Sequence, residues 1–536
     1  MKRHIPLLAI YLVCFLFLGC TVSEVSITQG RHLRETGYMV DFRTYSLQLE
    51  GVTVQMEARG YEESTLKDAA QLVEADLSAL TAVGGAPVQE VEVYLVKETV
   101  SGLPQTAAGH VFCTVSDVKD GSYRPALAQA AFSFPKLWQS VGLASYVFDA
   151  PVEEAALKSY CEDPETGLIL SLFELYFSPV FADGETCLMA RQAARSITAY
   201  WVEQEGFVAF SCLENPAEAV ASWAEQQEIT PPSLPQGASS VAQLSLSTVQ
   251  ENQMVLQGDG RFIWYLEPMD WISTASDFYQ KLCRYYAGAD LLLEEMEAAL
   301  PRSFAAVKAI AHEEIAVELV SSDTTSLARP TDLTIILGAA NTFWHELTHV
   351  LTPSPLLLEN SWLCEGLATL FAGQVETKYG MIHDVSTYRY LTDETVFGEK
   401  YPQAAAQQAD IIERYTKKAP LPQNSRDIDA VLFYRVCGIS TLLHPEWNTA
   451  DGLMMNWKSS GADGFLGATM VQKASDGNYL TYSEAMLFIE YLAELHGLDT
   501  VAGNYLKGLS FEEAYGVSYA EGFAAFYDWL LDTYEV

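Results

Sequence analysis

Basic residues are scarce: the 536-residue chain holds 31 Lys and Arg against 70 Asp and Glu, a formal charge of −39. A chain this acidic repels phosphate backbones and anionic headgroups, so nucleic acid and anionic phospholipid are poor partners. The same excess keeps an exported protein soluble and favours a cationic substrate only weakly. Cysteines are few and irregularly spaced. No Cys-x-x-Cys occurs, and with Cys14 and Cys20 set aside, the remaining Cys113, Cys161, Cys187, Cys212, Cys283, Cys364 and Cys437 are odd in number. Neither a disulfide framework nor a cysteine metal site is indicated, and most of these residues read as small buried apolar groups. Cys364, beside Glu365, reads as a packing residue, because neighbours on a helix point about 100° apart. Long apolar runs are absent beyond the N-terminus, so no internal segment is expected to cross a bilayer.

The start of the chain differs. Met1-Lys2-Arg3-His4 is a short basic patch, followed by an uncharged apolar run from Ile5 to Leu18 and by Gly19-Cys20. This is the pattern of a signal peptide, too short for a comfortable transmembrane helix. Phe17-Leu18-Gly19-Cys20 resembles a bacterial lipobox, with Phe where Leu is usual, and Cys20 would then become the lipidated first residue. The resemblance implies an extracytoplasmic protein held to the bacterial cell membrane by a lipid without spanning it.

At 49% hydrophobic and 19% charged residues, the composition is globular, with material for two cores. After the signal (1–20) and a polar tether (21–40), strand-like alternation over Tyr45–Leu49 and Val52–Met56 precedes a helical run from Thr65 to Leu80 and a strand at Val91–Val96. Pro, Gly and Ser concentrate over residues 230–240, which reads as a linker between a first domain (41–229) and a second (241–536). The second domain offers a strand at Phe262–Leu266, a helix over Ser276–Leu300, and strands at Ile315–Val320 and Leu333–Leu337. Helical spacing recurs near 402–415, 429–443, 482–495 and 520–533, around a Gly-, Ser- and Asp-rich loop over 448–478. The fold class is α+β.

The chemistry concentrates in Trp344-His345-Glu346-Leu347-Thr348-His349, inside an apolar helical segment. Residues four apart share one helix face, so His345 and His349 can aim at one point while Glu346 lies beside it as a base. A catalytic zinc usually takes three protein ligands and keeps one position open. The third ligand is assigned to Glu365, in a second helical run, Ser361-Trp362-Leu363-Cys364-Glu365-Gly366-Leu367-Ala368, whose apolar residues can pack on Trp344, Leu347 and Val350.

His-Glu-x-x-His followed by Trp-Leu-x-Glu-Gly-x-Ala resembles the gluzincin metallopeptidases, the group of thermolysin and aminopeptidase N, and above all their small bacterial peptidase-MA-like relatives. The resemblance implies one zinc ion on His345, His349 and Glu365, with Glu346 as the catalytic base. It also implies that a strand edge beside the zinc helix pairs with substrate backbone, a role assigned to Leu333–Leu337 with an interior core strand as the alternative. Tyr482 matches the tyrosine that faces the oxyanion in the aminopeptidases, although Ala485 stands where Gly is common there. Gly338-Ala339-Ala340-Asn341 lacks the Gly-x-Met-Glu-Asn loop that grips a free amino terminus, so endopeptidase action is expected. Partners that orient the zinc imidazoles are not assigned, although Glu359 and Thr369 lie near in sequence.

The first half echoes the second. Trp138-Gln139-Ser140-Val141-Gly142-Leu143-Ala144 repeats the framework of Trp362–Ala368 with Val141 in place of Glu365, and Tyr200–Gly206 echoes Tyr491–Gly497. The spacing between the echoes is not constant, which leaves open helices of merely similar composition. The expectation is two peptidase-MA-like domains, each a small mixed sheet followed by a helical subdomain, the first degenerate. The expected function is a membrane-anchored, extracytoplasmic, zinc-dependent endopeptidase that hydrolyses polypeptide with a zinc-activated water. The alternative is a non-catalytic peptidase-like binding or scaffold lipoprotein. Oligomeric state is not legible.

Overall fold

Two sheets of the same design organise the chain. The computed structural model describes residues 25–29, 32–33, 38–39, 43–57, 62–99, 105–107, 109–178, 184–213, 216–248, 254–267, 270–272, 274–354, 361–384, 427–435 and 478–534. The signal peptide, Cys20, the helical run at 402–415, the part of the 429–443 run after residue 435, and nearly all of the 448–478 loop lie outside them. No helix among the described residues is long and apolar enough to cross a membrane.

The first sheet contains β1 (Ser26–Gln29), β2 (Arg43–Leu49), β3 (Val52–Glu57), β4 (Val91–Leu95), β5 (Gln105–Ala107) and β6 (His110–Cys113) in the order β1-β2-β3-β4-β6-β5. β3 and β4 run parallel, as do β4 and β6, while β5 closes the edge antiparallel to β6. Helix α1 (Glu63–Gly84) makes the crossover from β3 to β4, burying Leu66, Ala70, Val73, Leu77 and Leu80 at helical spacing. Helices α2 (Arg124–Phe132), α3 (Leu137–Phe148) and α4 (Gly184–Gln204) follow the sheet.

The second sheet uses β7 (Ser245–Thr248), β8 (Met254–Gln257), β9 (Phe262–Leu266), β10 (Ile315–Leu319), β11 (Leu327–Arg329) and β12 (Thr334–Leu337). Its order, β7-β8-β9-β10-β12-β11, repeats that of the first sheet. The parallel pairs β9/β10 and β10/β12 and the antiparallel edge β11 recur as well. Helix α5 (Ala275–Ala299) lies between β9 and β10, and α6 (Phe343–Leu351), α7 (Ser361–Lys378), α8 (Asn478–His496) and α9 (Leu498–Leu506) follow the sheet. Contacts gather the chain into two units that part between Leu234 and Pro235, with Ser245–Leu256 and Ile272–Tyr279 grouped with the first.

The changing register between the sequence echoes has a structural cause. Val91 and Ile315 open corresponding strands, and Gly142 and Gly366 sit in corresponding helices; both pairs are 224 residues apart. In both units that glycine lies close against the backbone of a later helix. A Cβ at Gly142 would stand 2.8 Å from the Ala194 carbonyl oxygen of α4, and one at Gly366 would stand 2.6 Å from the Ala485 carbonyl oxygen of α8. Ala194 and Ala485 are 291 residues apart, so the extra length of the second half enters between α7 and α8. Gly366→Ala is expected to cost about 1–3 kcal/mol, because backbone cannot yield as a side-chain tip does. Thermal denaturation of that variant measures it, and an unchanged melting temperature would contradict the close helix contact.

Candidate metal centre

Helix α6 is short, and its sequence divides cleanly between packing and polar work. Phe343, Trp344, Leu347, Val350 and Leu351 are buried, and these positions make one apolar stripe. His345 and His349 share a face beside that stripe, their ring centroids 4.7 Å apart. Trp344 seats against α5 at Gly288, where any Cβ would collide with the indole. Helix α7 is buried on several sides: Leu363, Cys364, Leu367, Ala368, Leu370 and Phe371 are all in the core, and Gly366 lets α8 close behind it. The side chain of Trp362, expected to join that packing, lies outside the described residues.

Packing of α7 on α6 brings the three expected ligands together. His345 Nε2 lies 3.0 Å from Glu365 Oε2, His349 Nε2 lies 3.2 Å from the same oxygen, and the two Nε2 atoms are 3.0 Å apart. His345, His349 and Glu365 thus form a cluster that could hold a metal ion. The donor set is also chemically consistent: two imidazoles and a carboxylate suit a borderline cation. Donors of a tetrahedral zinc site with bonds of about 2.0 Å stand about 3.3 Å apart, close to the triangle found here.

Charge is concentrated and little solvated at this point. Burial alone would raise the Glu365 carboxyl, but the charges of His349 and His345 and their hydrogen bonds outweigh it and hold the group well below the usual carboxylate range. His349 behaves reciprocally: burial works to lower it, and Cys364 and Glu365 together push it well above its ordinary value. Glu346 is only 7% exposed, and burial pushes its carboxyl up against the opposing charges of the two histidines. The backbone N–H of Ala328, on β11, donates to that carboxylate.

Tyr482 reaches the same place from α8, its ring centroid 5.3 Å from that of His345. Burial, then the charges of Glu365 and Glu346, push its hydroxyl far above the usual range, so it keeps its proton. The substrate-edge assignment is corrected. β12 is interior, paired on one side with β10 and on the other with β11, and all four of its residues are buried. The edge strand beside α6 is β11, which reads poorly as a strand because it is only Leu327-Ala328-Arg329 with both outer residues exposed.

Cys364 is buried and stands outside the cluster, as a packing residue would, and its sulfur in addition lies 2.9 Å from His349 Nδ1. Thr369 is buried, its hydroxyl without a hydrogen-bond partner among the described residues, and Glu359 lies outside them. Cys113, Cys161, Cys212, Cys283 and Cys364 are free thiols, four of them buried, as the scattered spacing implies. Comparison of the chain with protein-family models, with curated proteins and with solved structures finds no match.

Proposed function

We propose that the chain is a zinc-dependent endopeptidase of the gluzincin type, with the ion held by His345, His349 and Glu365. The observation that carries this reading is the convergence of three ligand atoms within 3.2 Å of one another, with the Glu346 carboxylate on the same helix. A structural metal site has no use for that carboxylate, and placing it in a low-solvent pocket costs folding free energy. When bound, zinc polarises the scissile carbonyl and lowers the pKa of a coordinated water toward neutrality.

The remaining roles belong to protein groups. Glu346 accepts a proton from the attacking water and returns it to the leaving nitrogen, and the Ala328 N–H holds its carboxylate in place. The exposed edge of β11 offers main-chain groups to an extended peptide, which suits a substrate recognised by backbone more than by side chain. Tyr482 donates to the oxygen on which charge develops. Tyr482→Phe is therefore expected to lower kcat about 100- to 1,000-fold with little change in KM. Equal turnover by the two proteins would remove Tyr482 from the mechanism.

Export and anchoring complete the reading. Cys20 as the lipidated residue makes the peptidase a membrane-bound extracytoplasmic enzyme, and Cys20→Ala is expected to move the protein from the detergent phase to the aqueous phase on phase partitioning. Retention of the variant in the detergent phase would sink the lipid anchor. The first unit supports a second, non-catalytic role within the same chain. The first sheet repeats the strand order of the second, and Val141 in α3 stands 224 residues before Glu365, so the unit has a similar frame without that carboxylate. A fold kept without its chemistry is suited to binding. Cleavage by the isolated first unit would contradict that role.

A further inference from the structure

We infer that Cys364 is the positioning residue for His349: its sulfur accepts the Nδ1–H of the imidazole and so fixes Nε2 toward the metal point. The inference rests on the metallopeptidase reading above. Cys364 Sγ and His349 Nδ1 are 2.9 Å apart, and both residues are buried, at 4% and 7% exposure, so water does not compete for the bond.

The two nitrogens of an imidazole lie on opposite sides of the ring, and a neutral ring carries one proton. His349 Nε2 is the atom 3.2 Å from Glu365 Oε2 and 3.0 Å from His345 Nε2. For Nε2 to offer a lone pair to a cation, the proton must sit on Nδ1, and a buried N–H there needs an acceptor. The sulfur supplies it. The ring of His349 stands between the sulfur and the three converging donors, so Cys364 is no fourth ligand to the same ion.

The sequence arrangement explains how one helix does both jobs. Cys364 and Glu365 are consecutive on α7, and a step of about 100° per residue turns the carboxylate to the metal side and the thiol to the far side of His349. Tyr505, on α9, lies with its hydroxyl beside the same sulfur. Helix α9 is held in turn by Asp499, which accepts from Arg302 Nε at 2.6 Å and from the Ser303 backbone N–H at 3.0 Å. A metal-bound histidine commonly gives this proton to a carboxylate or a backbone carbonyl. Here a polarizable, weakly accepting sulfur takes that place, backed by a packed helix.

Zinc affinity, measured by competition with a chromophoric chelator, tests the assignment on the full chain and its Cys364→Ala and Cys364→Ser forms. The Ala form is expected to bind zinc about 10- to 100-fold more weakly, and the Ser form, which keeps an acceptor of similar volume, to recover part of the loss. In histidine-labelled, zinc-loaded protein, the slowly exchanging Nδ1–H signal of His349 should be present in the wild type, retained with Ser and lost with Ala. Zinc affinity and an Nδ1–H signal unchanged in both variants would overturn the inference. A wild-type chain that binds no zinc would overturn the metallopeptidase reading instead. Should the Ala form fail to fold, the Ser form decides alone: a folded, zinc-loaded Ser protein whose Nδ1–H signal is shifted or exchanges faster than in the wild type supports the bond, whereas a signal unchanged in position and exchange rate overturns it.

Discussion

The Glu346→Gln protein is expected to hydrolyse peptide about 100- to 10,000-fold more slowly than the wild type while holding the same amount of zinc. The side chain is not among the three converging ligands, so metal content should not respond to its charge. Gln keeps the volume and can still meet the Ala328 N–H through its carbonyl oxygen, but it cannot take up a proton. Folding should not suffer, because the change removes a buried carboxylate whose solvation is lost on folding. Three measurements separate the outcomes: turnover on an unstructured protein substrate, zinc per chain, and melting temperature. Full turnover in a folded, zinc-loaded variant would remove the base from the mechanism. No turnover in either protein, across a broad peptide library, would favour binding over catalysis.

His349→Ala should lose both the metal and part of the fold's stability, and the two losses can be told apart. Chelation alone removes the ion and leaves every side chain of the site in the chain. Its cost is then the binding linkage only, about 4 kcal/mol when free zinc stands 1,000-fold above Kd. Deleting His349 opens a cavity in the buried face of α6 and removes one of the two partners of a carboxylate held ionised. His345 still pairs with Glu365, which puts the expected cost near the lower end of a broken buried pair, about 3 kcal/mol even with chelator present. The comparison is therefore between wild type and variant in excess chelator, by denaturant titration. Equal stability under those conditions would mean that His349 is not packed as described, and zinc retained at one ion per chain would remove it from the ligand set.

Much of this site lies within two short stretches, which is why it is legible from residue order. His345, Glu346 and His349 fall within five residues, and the 3.6-residue turn alone places the two rings together. Glu365 needs one further step, a second apolar helix close in sequence, and the packing of α7 on α6 supplies it. The repeat was readable as words but not as a sentence: Trp138–Ala144 matches Trp362–Ala368 at one spacing and Tyr200–Gly206 matches Tyr491–Gly497 at another. Only the common strand order and the paired helix crossings at Gly142 and Gly366 show that both spacings belong to one design.

Elsewhere residue order was silent or pointed to the neighbouring element. Thr334–Leu337 has the alternation-free, largely apolar run of a buried strand, while the true edge, Leu327–Arg329, is too short to carry a pattern. The Cys364 sulfur and the Ala328 N–H serve His349 and Glu346 from elements that local periodicity treats as separate. Residue order by itself determined the helix faces, the ligand types and the α+β class, because each follows from local spacing and apolar content. Which strand forms the edge, which atom receives the proton of His349, and how near Tyr482 stands to the site were decided by tertiary packing. Those are distances between segments remote along the chain, and nothing in local periodicity encodes them.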